Sequence, residues 1–458
     1  MASAFSSPTV QNPGGALLIA LVATCAGIAL ILIVILLRRV IRSRYFKIRD
    51  ERARLIRENW QRVLEDKGSD ASWFARRLDR QIIEEMAKDR MEVARGAEKR
   101  QLQALFCSSG MLDRRIREVR GGVGWSKRKA LLSLGRMQLP QGLPALAETL
   151  DDPSDDVILD AIRALGLVGT PEAGNRIVER LARRPVQCPA LLLQAALANC
   201  FRGNPSRLAS LIPPADDGVR PILTRALAEV AKPGTAGDLR DLVTDPLPDV
   251  RASAARILSA VRPPYLVTAL AELAGDAEWF VRLRAMVALG DLRQAYTVPV
   301  LLQGLCDANR LVRLRAASAL AQIDGEELPI LHMAMQTSDR YALQALVSEL
   351  ERSGRIVRLA NSLENTEAQV AEAALAAALH GGAARILTDL MLNHRSARVR
   401  ERLSAIMSRS QDPALLGYLE LALCGRVSKA QSQSLQRLLE ALKEKDAAAP
   451  VRDPVLAV

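Results

Sequence analysis

Between residues 245 and 323 the apolar positions of this chain recur at a fixed interval. Residues 245–261 read DPLPDVRASAARILSAV, residues 276–292 read DAEWFVRLRAMVALGDL, and residues 307–323 read DANRLVRLRAASALAQI. Val250, Val281 and Val312 are 31 residues apart. Each is followed by an arginine (Arg251, Arg282, Arg313) and preceded five residues earlier by an aspartate (Asp245, Asp276, Asp307). In the last copy Val312, Ala316, Ala319, Leu320 and Ile323 form one apolar stripe at helical spacing. The aspartate falls near the helix start, where it is expected to cap free N–H groups. A second apolar segment lies ahead of each such helix, as at 265–274 and 298–305. The predicted unit is therefore a helical hairpin. One hairpin cannot bury its own stripe, so the copies must stack.

The register extends outward. Steps of 31 lead back from Val250 through Val219 (followed by Arg220), Cys188 and Val157 to Ser126, with Asp152 in register with Asp245. Forward the spacing loosens through Leu343, Val370 and Val399. This makes about ten hairpins. The fold class expected is all-α, an α-solenoid. Its apolar face is rich in alanine and leucine, and aromatics make up only 3% of the chain, which disfavours a β fold.

The string Val-Arg-x-x-Ala-x-x-x-Leu, carried by Val250, Arg251, Ala254 and Leu258 and again from Val281 and Val312, resembles the short HEAT-like repeat of bacteria. That repeat is also called phycobilin-lyase-type, and the resemblance spans residues 105–425. It implies an armadillo-like scaffold for protein–protein interaction. Membrane-anchored proteins that look similar accompany envelope glycosyltransferases and polysaccharide export systems. The resemblance also implies one enzymatic alternative, a bilin lyase, which a membrane anchor suits poorly.

Outside the repeats, residues 16–37 are uncharged and mostly apolar. At about 1.5 Å per residue they span a bilayer core. The uncharged start, and an apolar run that ends in Arg38-Arg39, favour a retained anchor over a cleaved signal peptide. Net charge is +12, yet residues 38–130 hold 26 Lys/Arg against 14 Asp/Glu, and residues 131–458 hold 37 of each. The excess is thus concentrated beside the apolar run, at Arg38, Arg39, Arg42, Arg44, Lys47, Arg49 and Arg52. The positive-inside rule then places the N-terminus outside and the repeats in the cytoplasm. The Arg/Ala/Leu-rich composition reads as bacterial, which makes the expected membrane the inner one. The basic residues are also candidates for holding anionic lipid. A neutral body argues against nucleic acid as partner.

The expected organisation is a tail (1–15), a transmembrane helix (16–37), basic juxtamembrane helices with an N-terminal cap (38–104), the repeats (105–425), a terminal helix (426–446) and a second tail (447–458). Residues 47–66 read as one helix bearing Ile48, Leu55, Ile56, Trp60, Val63 and Leu64. A break at 68–70, with Asp70 or Ser72 as cap, leads into a second helix over 73–95. The glycines at 121, 122 and 124 mark a turn, since no Gly-Lys-Ser/Thr follows. The six cysteines form no Cys-x-x-Cys pair, and most lie in apolar helical text, so they are expected to be buried thiols. His332, His380 and His394 have no neighbours at metal-ligand spacing. No catalytic, metal or cofactor site and no small-molecule substrate is expected. The repeat residues Asp152, Asp245, Asp276, Asp307, Arg220, Arg251, Arg282 and Arg313 are read as a structural ladder. The function that results is a single-pass scaffold holding a protein partner, with a lipid-responsive regulatory subunit of an envelope system as the alternative.

Overall fold

The structure is a computed structural model that describes residues 13–65, 73–184, 188–337, 339–365, 368–410, 412–425 and 427–447. Most of the N-terminal tail, the 68–70 break with its two cap candidates, and nearly all of the C-terminal tail lie outside these residues. No strand occurs among the described residues. The chain divides into two compact units, residues 1–177 and 178–458.

The first unit opens with α1 (Pro13–Glu58), one unbroken helix of 46 residues, followed by α2 (Trp60–Glu65) and α3 (Arg77–Val93). Next come α4 (Gly96–Ser108), α5 (Met111–Gly121), α6 (Gly124–Arg136), α7 (Leu143–Glu148) and α8 (Asp155–Val168). Helix α9 (Pro171–Arg183) spans the division. The second unit continues with α10 (Ala190–Phe201), α11 (Pro205–Ser210), α12 (Arg220–Val230), α13 (Pro248–Val261), α14 (Leu266–Ala274), α15 (Trp279–Leu292), α16 (Val298–Leu305) and α17 (Arg310–Leu320). It ends with α18 (Glu327–Gln336), α19 (Arg340–Arg352), α20 (Arg355–Ser362), α21 (Ala368–His380), α22 (Ala384–Asn393), α23 (Ala397–Ser408), α24 (Pro413–Leu423) and α25 (Lys429–Ala447).

The stacking follows the sequence register. Helices α13, α15 and α17 lie side by side in that order, and α14 and α16 pack against them to complete the hairpins. Val250, Val281 and Val312 are fully buried, as are Ala254, Ala285, Ala316, Leu258 and Leu289. Gly169, Arg262 and Arg293 hold one register position after α8, α13 and α15, and all three adopt the left-handed conformation that ends the helix.

Gly135 and Gly290 also share a register position. A Cβ on Gly135 would stand 2.6 Å from Ala164 Cα, and one on Gly290 would stand 2.7 Å from Ala319 Cβ. Glycine here lets neighbouring repeats approach backbone to side chain. Alanine in a helix interior normally stabilises by about 1 kcal/mol over glycine. At Gly135 the sign is expected to reverse, with Gly135→Ala costing about 1–3 kcal/mol because the backbone of α8 must move. Urea denaturation of the full chain checks it; an unchanged midpoint would mean that the two helices can separate without penalty.

Several local expectations are corrected. The helix expected over 73–95 starts at Arg77, and Trp73 and Phe74 precede it. On the juxtamembrane stripe, Ile56, Trp60 and Val63 are buried whereas Ile48 and Leu55 are exposed, because α3 covers only one side of α1. Of the six cysteines only Cys200 is buried; Cys25, Cys107, Cys306 and Cys424 are exposed. The reason is position: Cys306 and Cys424 are C-cap residues, one step past the last buried turn of α16 and α24.

Candidate functional site

Three arrangements of charged side chains organise the two units. The first is the ladder in the second unit. Arg251 grips Asp276 with two bonds, Nε to Oδ2 at 2.6 Å and Nη2 to Oδ1 at 2.9 Å. Arg282 grips Asp307 with the same atoms at the same distances. Each arginine also donates from Nη1 to carbonyls of its own loop, Arg251 to Asp245 O and Arg282 to Asp276 O. Each aspartate in turn accepts the N–H two residues ahead: Asp245 from Leu247, Asp276 from Glu278, Asp307 from Asn309. Arg220 joins through a single 3.2 Å bond to Asp245. Arg313 bonds the carbonyls of Asp307 and Ala308. The result is an unbroken chain of alternating charge from Arg220 to Arg313.

This geometry changes the role expected for the aspartates. The N-cap residues are Leu247, Glu278 and Asn309, so each aspartate lies two residues before the cap. It sets the turn into the helix and takes the arginine of the preceding repeat: at Asp276 and Asp307 Oδ1 is shared between the turn N–H and the arginine while Oδ2 takes the arginine alone, and at Asp245 the two oxygens divide the tasks. In the first unit Lys127 occupies the arginine register and bonds Asp152 at 2.6 Å. In the weaker copy near residue 394 an imidazole takes the aspartate's place. His394 Nδ1 accepts Ser396 N–H, its carbonyl accepts Arg400, and its Nε2 lies 2.9 Å from Asn361 Oδ1.

Hydrogen bonding from Arg251 holds the Asp276 carboxyl below the usual carboxylate range. At Asp307 and Asp152 burial pushes upward, but bonds from Arg282 or Lys127 and from a backbone N–H outweigh it, so both also titrate low. A carboxylate depressed in the folded state adds stability above its unfolded value and loses it as pH falls through the folded one. Thermal melts should therefore be flat above about pH 5 and drop steeply below about pH 4. A steady decline starting at neutrality would contradict the ladder's share in stability.

The second arrangement is a buried cluster that the sequence pattern did not reveal. Glu84, only 1% exposed, accepts from Arg115 (Nε to Oε1, 2.7 Å), from Arg114, and from Ser133 Oγ at 3.0 Å. Lys88, also buried, donates to Ser133 Oγ at 2.9 Å and lies 3.4 Å from Glu84. Burial lowers the Lys88 ammonium from its ordinary value. A serine beside such a lysine has the composition of a nucleophilic dyad. Here, however, both residues are buried and the hydroxyl is already spent on Glu84. The cluster ties α3, α5 and α6 together.

The third arrangement involves the basic segment. Arg52 forks onto Asp79 (Nε to Oδ1 2.9 Å, Nη2 to Oδ2 2.6 Å), and Arg49 reaches Glu85 at 2.7 Å. Arg90 stacks over Trp60, 4.6 Å from the ring centroid. The two arginine contacts clamp the lower end of α1 to α3, and the stack of Arg90 on Trp60 ties α2 to α3. Arg38, Arg39, Arg42, Arg44 and Lys47 are exposed and form no ion pair among the described residues; Arg42 lies over Phe46. The seven basic candidates thus split into two clamp residues and five that remain available. The signal for the split was Ile56, Trp60 and Val63, which continue the Arg49/Arg52 face at helical spacing.

Among the described residues no group of three or more His, Cys, Asp or Glu is placed to hold a metal ion. Residues 125–197, 205–290 and 267–351 match the family described as HEAT repeats. The chain carries HEAT repeats between residues 125 and 351. No curated protein matches it. Solved structures similar to this HEAT-repeat chain include an engineered protein at 18% identity, covering 83% of this chain and 98% of that one with a TM-score of 0.30. Human deoxyhypusine hydroxylase, in complex with glycerol, is 19% identical over 67% of this chain and 96% of its own, at a TM-score of 0.23. Kap95p, in a structure with RanGDP, is 12% identical over 86% of this chain and 63% of its own, at 0.36. At that level of similarity no activity or partner transfers to this HEAT-repeat protein.

Proposed function

We propose that this HEAT-repeat protein is a single-pass membrane scaffold whose repeats hold a protein partner on the cytoplasmic face of a bacterial inner membrane. The observation that carries this is α1. The apolar side chains from Leu21 to Leu37 are exposed, with Leu21 62% and Ile31 60% accessible, while the same helix is clamped to α3 beyond Arg49. A water-exposed helix of that kind is costly unless a bilayer covers it. The repeats bind their charges into an internal ladder, as suits a rigid support. The partner fits best as a component of a membrane or envelope complex, because anchoring confines both to one surface. The enzymatic alternative, a lyase, is the weaker reading, since among the described residues no group of three or more His, Cys, Asp or Glu is placed to hold a metal ion.

A specific observation favours a second reading, in which the protein is a lipid-responsive regulator of an envelope glycosyltransferase or polysaccharide system. The five available cations from Arg38 to Lys47 lie where anionic head groups would meet them. Gentle-detergent isolation of the tagged full chain, washed at low and high salt, separates the two. A stoichiometric protein that survives high salt supports the scaffold. If only anionic lipid is bound and it leaves at high salt, the regulator replaces it. Changing Arg42, Arg44 and Lys47 to glutamine, with Arg38 and Arg39 left to set topology, should spare the scaffold's partner and weaken the lipid.

A further inference from the structure

The exposed sides of α15 and α17 differ from their neighbours. On α15, Phe280 and Leu283, both half-buried, and Val287, exposed, follow one another at helical spacing, with Trp279 exposed at the helix start. On α17 the register equivalents of Phe280 and Leu283 are Leu311, 50% exposed, and Leu314. The same positions on α13 are Asp249 and Ala252, so the apolar strip is local to α15 and α17.

Charge around the strip is also distinctive. Helix α17 carries Arg310, Arg313 and Arg315 and no acidic residue. Arg310 and Arg315 are exposed and unpaired among the described residues, as is Arg284 on α15. Arg313, the last rung, bonds carbonyl oxygens and no carboxylate among the described residues. On α13 the corresponding outward charges are satisfied: Asp249 by Arg225 and Arg256 by Glu229. The carboxylates nearest the strip in sequence that the ladder does not use are Glu278 and Asp291, one at each end of α15. Three exposed arginines and the last rung, none bonded to a carboxylate among the described residues, thus lie on the two helices that carry the strip.

We propose that α15 and α17 dock an acidic amphipathic helix of a protein partner. This rests on the scaffold reading and specifies its partner. Two packed helices, with apolar residues three and seven apart on α15 and three apart on α17, can seat a third helix through anchors at i, i+3 or i+4, and i+7. Carboxylates flanking those anchors would meet Arg284, Arg310, Arg313 and Arg315, where forked bonds to carboxylate are strongest. The chain's own tails do not fit. Residues 448–458 contain two prolines with one arginine and one aspartate, and residues 1–12 carry no charged side chain.

The test uses the full chain in detergent micelles and two labelled peptides of about 18 residues sharing one leucine pattern, with glutamate in one and lysine in the other at the remaining sites. Fluorescence anisotropy should show saturable binding of the glutamate peptide, at least about tenfold tighter than the lysine peptide. Leu311→Ser with Leu314→Ser should abolish it. Arg310→Glu with Arg315→Glu should reverse the preference, and circular dichroism should remain unchanged in both variants. Equal binding of the two peptides, binding indifferent to either variant, or binding that appears only after residues 448–458 are removed would each overturn the proposal. So would capture of phosphatidylglycerol vesicles by the strip in place of the peptide. The pull-down keeps the two readings apart. A partner retained equally by wild type and both variants removes this groove and leaves the scaffold, whereas no partner at all removes the scaffold.

Discussion

Glu84→Ala is expected to be the most damaging single substitution in the first unit, costing about 3–5 kcal/mol. The carboxylate is buried and neutralises Arg115, Arg114 and Lys88 at once. Burial opposes its charge, yet the bonds from Arg115 and Ser133 prevail and keep it ionised below the usual glutamate range. Its removal leaves the buried Lys88 without a carboxylate, leaves Arg114 and Arg115 to share Glu118, and leaves Ser133 without an acceptor. The penalty is that of unpaired buried charge, which exceeds the net value of the intact cluster. Glu84→Gln keeps the shape and part of the hydrogen bonding, so it should cost less than alanine. Adding Lys88→Met to Glu84→Ala removes one stranded cation and should recover part of the loss. Urea titrations of the four proteins check the order. A Glu84→Ala midpoint equal to wild type would show that the cluster is solvated and loosely held.

Asp276→Ala is expected to rank second, at about 2–4 kcal/mol. It removes the two-bond grip of Arg251 and the turn bond from Glu278 N–H together. Arg251 keeps its bonds to the carbonyls of Asp245 and Pro246 and is not wholly buried, so the penalty stays below that at Glu84. A cycle with Arg251→Leu isolates the pair. The double variant should be less unstable than the sum of the singles by about 1–3 kcal/mol. Additive effects would mean that Asp276 acts through its turn alone. Because repeats couple mainly to their neighbours, hydrogen exchange should rise most in α13 and α15.

How far the fold was legible follows from these same residues. The ladder was readable because identical residues at a 31-residue interval leave one stacking solution, which brings Arg251 to Asp276 and Arg282 to Asp307. The aspartate's exact task was not readable, since position near a helix start does not separate a cap from a turn two residues earlier. Glu84 was hidden for a different reason. Ile82, Ile83, Ala87 and Met91 mark a buried face, and a glutamate and lysine four apart on it look like an ordinary surface pair. Their burial is decided by Arg114, Arg115 and Ser133, some 30 to 49 residues away, and no local pattern reports that. The strip on α15 and α17 is not legible in the repeat pattern, because its residues occupy positions that the Val-Arg-x-x-Ala-x-x-x-Leu string leaves open.

Helix α1 has no break from Pro13 to Glu58. In the proposed anchored state, with its apolar half in a bilayer, it would set the azimuth of the first unit about the membrane normal, as a shaft sets a crank. One residue inserted near Ser43 would turn that unit by about 100° and shift it by about 1.5 Å, whereas seven would return it to within about 20°. A neighbour fixed in the same membrane would lose sight of its face after one insertion and find it again after seven.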